Sequence, residues 1–349
     1  MKKILLFAIA AATMAVGCQK IQSLVNPDNT PVDENNPVEI KFSASNAVVE
    51  TKAAVSTLAG IDLYVYGLNQ DNPGKREIPG VQATYTSDTE YLALTDGPYF
   101  YNNNTDRYHF YGYHLGGIDA TVGTDYTATV TIDGSNDILL AQAESDMNTD
   151  PTGDVYNAKN ARLDNPVYPH LEFKHALAQF TFGAVNLGNT TMTLSGIKVN
   201  TPTAGTVTVA GTAQGVDATG TASDIAVTMT AAELAPGKEP EAGVNYPTVN
   251  ATPVMVFPDS AYDFYFTLTQ GTVTRTLKVT LDQTAQQVTA GHSYAINIKL
   301  YSLEEIKITA SLKDWEYKSY TVETDSAEEV VEPEDDENGD DNGEPEPEA

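Results

Sequence analysis

Apolar residues in this chain recur at every second position over short runs and almost nowhere at helical spacing. Ile40 and Phe42, then Ile61, Leu63 and Val65, then Ala128, Val130 and Ile132, each share one side of their segment. Farther on the same spacing returns at Phe264, Phe266 and Leu268, at Tyr294, Ile296, Ile298 and Leu300, and at Ile306, Ile308, Ala310 and Leu312. A period of two places alternate side chains on opposite faces of a pleated strand, so these segments are half-buried strands. Gln270-Gly271 turns one run into Leu277, Val279 and Leu281, which predicts a hairpin. Asp133-Gly134-Ser135-Asn136-Asp137 lacks calcium-loop ligand spacing and predicts a hairpin turn. Ala143 to Pro166, rich in Asp, Asn, Pro and Gly, predicts a long loop, and Gly211 to Ser223 a loop or a weak edge. Many short strands between such punctuation predict an all-β chain built of β-sandwiches.

The 349 residues, 41% of them hydrophobic, leave room for two cores. With 48 acidic residues against 19 basic, phosphate backbones are repelled, and nucleic acid is not an expected partner. Cys18 is the single cysteine, so no disulfide forms within the chain. Met1-Lys2-Lys3, the Ala-rich apolar run Ile4 to Val16 and Ala15-Val16-Gly17-Cys18 have the form of a lipoprotein signal with its lipobox. The run is shorter than the roughly 20 residues a spanning helix needs. Cleavage after residue 17 leaves Cys18 as the acylated, palmitate-bearing N-terminus, and Gln19 after it suits the outer membrane. Residues 18–37 then read as a flexible tether, and 323–349, acidic with no Lys or Arg, as a disordered tail.

A search for chemistry yields little. His109 with His114 and His170 with His175 are each five apart, which on a strand puts the partners on opposite faces and makes no local metal site. His292 stands apart, and no nucleophile elbow, P-loop or dinucleotide fingerprint occurs in its required context. No catalytic residue, cofactor or metal is expected, and the chain reads as a non-enzyme. The one local concentration is aromatic, Tyr99 to Tyr113 around Asn102-Asn103-Asn104. Aromatic platforms stack on sugars, so Tyr101, Tyr111 and Tyr113 are candidate ligand-facing residues. Alternation favours packing for most of the cluster, with Tyr108, Phe110 and Gly112 on one face and Tyr111 and Tyr113 on the other.

The order of motifs adds a resemblance. Lipobox, tether, EIKFSAS, ETKA, IDLYVYG, RYHFYGYHL, DILLAQA, LEFKHALAQFTFGAVN, GHSYAINIKL and ITASLKDWE follow one another as in the fimbrillin-type lipoproteins of Bacteroidetes, subunits of type V pili. The resemblance implies two transthyretin-like β-sandwich domains meeting near Pro166 to Glu172, at 38–168 and 169–322. It also implies a subunit of a cell-surface fimbria that supports adhesion. In that family a protease removes the first strand after a basic residue, and a neighbouring subunit donates a strand to the groove. Mapped here, cleavage falls between Lys52 and Ala53, where the family usually carries arginine. The implied partners are other pilus subunits, the outer membrane through lipid on Cys18, and a host or bacterial surface receptor or glycan. An uncut chain suits an anchor or terminal subunit. The alternative is a surface glycan-binding lipoprotein.

Overall fold

The computed structural model describes residues 37–46, 57–86, 91–145, 154–211, 213–241, 246–284, 287–303 and 305–313. Apart from one 3-10 turn at Asn160–Arg162, its regular structure is all β. Cys18, Lys52, Ala53, Trp315, the signal, the tether and the acidic tail lie outside the described residues.

The first half supplies β1 (Phe42–Asn46), β2 (Leu63–Asn69), β3 (Ile78–Thr86), β4 (Tyr91–Leu94), β5 (Tyr108–Leu115), β6 (Thr127–Thr131), β7 (Ile138–Glu144) and β8 (His170–His175). Seven of them close in the order β1-β4-β3-β2-β5-β7-β8. Closure follows because β1 is bonded on both edges, antiparallel to β4 and parallel to β8. Alternation does the filling: the inward set Leu63, Val65, Phe110, Leu171 and Phe173 makes one buried core with β1. β8 begins past the boundary expected at residues 168 and 169, yet it pairs in this first sheet. Periodicity cannot place β8 in this sheet, because its parallel partner β1 lies far away in the chain.

The second half runs β9 (Ala178–Asn186), β10 (Met192–Pro202), β11 (Ala204–Thr208), β12 (Gly215–Ala218), β13 (Ala222–Ala226), β14 (Ala232–Leu234), β15 (Val254–Val256), β16 (Asp263–Gln270), β17 (Val273–Thr280), β18 (Ser293–Leu300) and β19 (Ile306–Lys313). One sheet has the order β13-β10-β16-β17, with β14 on β10, and another β15-β9-β18-β19. Their apolar faces meet in a common core where Phe180 packs on Phe264 with centroids 5.5 Å apart. The hairpin at Gln270-Gly271 joins β16 to β17, with Gly271 at φ 61°.

β6 corrects one expectation. Rather than forming a hairpin with β7, it leaves the closed sheet and pairs with β11, in the order β12-β11-β6. The turn from Asp133 is local all the same: Asp133 Oδ1 accepts Ser135 N–H at 2.8 Å, and Asn136 Oδ1 accepts Asp133 N–H at 2.9 Å. It joins strands of different sheets. A third core, including Leu115, Val130, Leu140, Val207 and Phe257, packs between these sheets.

Candidate functional site: the first strand and its seat

β1 is the short closing piece of the barrel. Ile40, Phe42 and Ala44 point inward and are 4%, 1% and 0% exposed. Phe42 meets the ring of Phe110 edge-on, with centroids 5.0 Å apart. Burying Ile40 and Phe42 stabilises the seated strand by about 1.5–3 kcal/mol each. Opposite them, Gly112 makes room for Phe173: a Cβ on Gly112 would stand 2.6 Å from Phe173 Cζ. No larger residue at 112 leaves that ring where it is.

Main-chain bonds fix the strand's register. Ile40 N–H donates to Tyr99 O at 2.8 Å, Tyr101 N–H to Val38 O at 3.0 Å, and Ser43 N–H to Pro169 O at 3.1 Å. On β4 the register is Phe42 with Leu92 and Ser43 with Tyr91. On β8 it is Ser43 with His170 through Asn46 with Phe173. The outward face is polar. Ser43 Oγ lies 2.9 Å from His170 Nδ1, and Ser45 Oγ lies 2.8 Å from His170 Nε2. Salt bridges Lys41–Glu39 and Lys174–Glu172 nearby are solvent-exposed and contribute little.

The candidate ligand-facing tyrosines are packed. Tyr101, Tyr111 and Tyr113 are 2%, 1% and 5% exposed. Tyr101 stands edge-on to Tyr108 at 5.3 Å, and burial pushes its phenol far up in pKa. Its hydroxyl is buried without a hydrogen-bond partner. Tyr113 stacks between Tyr64 at 5.2 Å and Tyr66 at 5.9 Å. Tyr111 donates its hydroxyl to Glu144 Oε1 at 2.9 Å, and burial raises its pKa. Protein covers Tyr111 and Tyr113 on β5, which lies mid-sheet between β2 and β7, and Tyr101, which precedes that strand, packs against Tyr108 and Phe110.

The histidines are spread out. His114 Nδ1 sits 2.8 Å from Asp62 O, and His175 Nδ1 sits 2.9 Å from Asp137 Oδ1, with both side chains buried. Among the described residues no three of His, Cys, Asp and Glu gather as metal ligands. Sequence reasoning weighed His170 only as a metal ligand. Its contact with β1 carries no local signature, because the two segments are brought together by the parallel pairing.

This arrangement, a barrel completed by its first strand and followed by a two-sheet half, is similar to a solved protein structure. A candidate cell adhesion protein from Bacteroides uniformis ATCC 8492 superposes with a TM-score of 0.51 at 16% identity, covering 80% of this chain and 99% of its own. A fimbrial assembly protein from Parabacteroides distasonis ATCC 8503 gives 0.45 at 12% identity, with 80% and 100% covered. The C-terminally truncated tip fimbrial protein Mfa3 from Porphyromonas gingivalis gives 0.40 at 9% identity, with 80% and 100% covered. No curated protein matches the chain. The chain belongs to the fimbrillin-like family, whose model matches residues 49–315.

Proposed function

We propose that the chain is a structural subunit of a cell-surface fimbria, carried to the outer membrane on lipid at Cys18 and assembled by exchange of its first strand. The observation that carries this reading is the seat of β1. One short strand closes the barrel, and its apolar side chains are almost wholly buried. Cleavage between Lys52 and Ala53 would separate β1 from β2. Its departure would expose the bonding edges of β4 and β8 and an apolar trough containing Phe110, Leu171 and Phe173. A strand from a neighbouring subunit would supply both the main-chain bonds and the alternate side chains, which is β-augmentation. Cut and polymerised, the subunit supports adhesion through the fibre. Uncut, with β1 seated, it has no vacant groove and suits an anchor or terminal position.

The test is the N-terminus and apparent mass of the protein from the surface of its native cells, on unboiled and boiled gels. A start at Ala53 with a ladder that boiling collapses supports the proposal. A lipidated Cys18 on a single band under both conditions refutes exchange and leaves an anchor subunit or a surface glycan-binding lipoprotein.

A further inference from the structure

The outward side of the β1 seat has side-chain contacts of its own. His170 has two ring nitrogens, and each faces a hydroxyl of β1, Ser43 on Nδ1 and Ser45 on Nε2. Neutral imidazole offers one donor and one acceptor, which two hydroxyls can meet because each both gives and takes a proton. The spacing follows from the pleat. Ser43 and Ser45 are two residues apart and therefore on the same face, flanking His170 across the parallel pairing in which Ser43 is its direct partner.

We propose that His170 is a specificity-determining residue of this seat: it selects a strand with hydroxyl side chains at two alternate outward positions. The inference rests on the reading of β1 as a replaceable strand and adds what a replacement must carry. Inward, the seat asks for the order of Ile40, Phe42 and Ala44. Outward, it asks for a hydroxyl on each side of the alanine. The same order recurs near the other end of the described chain, where Ile306-Lys307-Ile308-Thr309-Ala310-Ser311 repeats the pattern of Ile40-Lys41-Phe42-Ser43-Ala44-Ser45. A second copy of this chain therefore carries a segment of the same alternation, with Ile308 in place of Phe42, in β19, which would have to leave its pairing with β18 to enter the seat.

The experiment uses the full chain with a site-specific protease sequence placed within residues 47–56 and cut after folding. Fluorescent peptides spanning Glu39 to Asn46 then compete with the nicked β1, one native and one with Ser43→Ala and Ser45→Ala. Two neutral hydrogen bonds at an exposed edge give the native peptide a preference of about tenfold. In His170→Ala the two peptides should enter equally, with entry of the alanine peptide unchanged. Because the peptide pair is compared on unaltered protein first, the result does not depend on the variant folding. Equal entry of both peptides into the native protein overturns the role of His170 while leaving strand replacement intact. Failure of both peptides to enter overturns replacement itself, and this inference with it.

Discussion

Replacing Phe42 by Ala tests whether β1 is held as a separable piece. Phe42 is 1% exposed and packs edge-on to Phe110 in a wall that cannot collapse far, because Phe173 already occupies the space over Gly112. Removing a buried Phe side chain costs about 3–5 kcal/mol, the sum of lost transfer energy and the cavity left behind. If that cost falls on β1 alone, the equilibrium for lifting the strand rises roughly a hundredfold to several thousandfold. Amide hydrogen exchange reads it locally. Protection of Ile40 and Ser43 N–H, which donate to Tyr99 O and Pro169 O, should drop by that factor. Protection of Gln179 and Val249 N–H, bonded to His292 O and Phe182 O in the second half, should hold. An equal fall at both places would refute the reasoning, because β1 would then open only with the molecule as a whole.

Three further outcomes follow from the same contacts. Gly112→Ala forces its Cβ into Phe173 and should destabilise the fold by about 1–3 kcal/mol in urea titration; no shift in midpoint would mean that the Phe173 ring moves aside freely. Tyr101→Phe deletes the unpartnered buried hydroxyl and should raise stability by about 1 kcal/mol, and a loss instead would reveal a partner for that group. Asp71 is held below the usual carboxylate range by its hydrogen bond from Arg107, partly opposed by desolvation. A lowered folded pKa means stability that is present above the unfolded value of about 3.9 and lost as pH falls through the folded one. Asp71→Asn should therefore show a smaller drop in urea midpoint between pH 7 and pH 3 than the native chain; identical drops would remove Asp71 from the acid response.

Legibility in the sequence tracked locality. In the strands that alternate cleanly the buried side could be read directly: Phe264, Phe266 and Leu268, and Ile296, Ile298 and Leu300, all lie at 0% exposure as their alternation requires. The turn at Gln270-Gly271 was equally readable, because a turn is decided by the residues within it. The aromatic cluster was half readable. Alternation indicated packing, but burial was decided by neighbouring segments: Tyr64 and Tyr66 cover Tyr113, and Tyr108 and Phe110 pack on Tyr101.

The sequence by itself determined that this chain is all β, which faces are apolar and where it turns, because pleat and turn sterics act over a few residues. Only the tertiary structure decided that β1 lies parallel to β8, that β6 deserts its neighbour for β11, and that His170 meets two serines more than a hundred positions away. Those choices depend on which edges and ring shapes fit when distant segments meet. Strands of similar composition present nearly the same backbone edge, so the selection among them is made by complementarity in space.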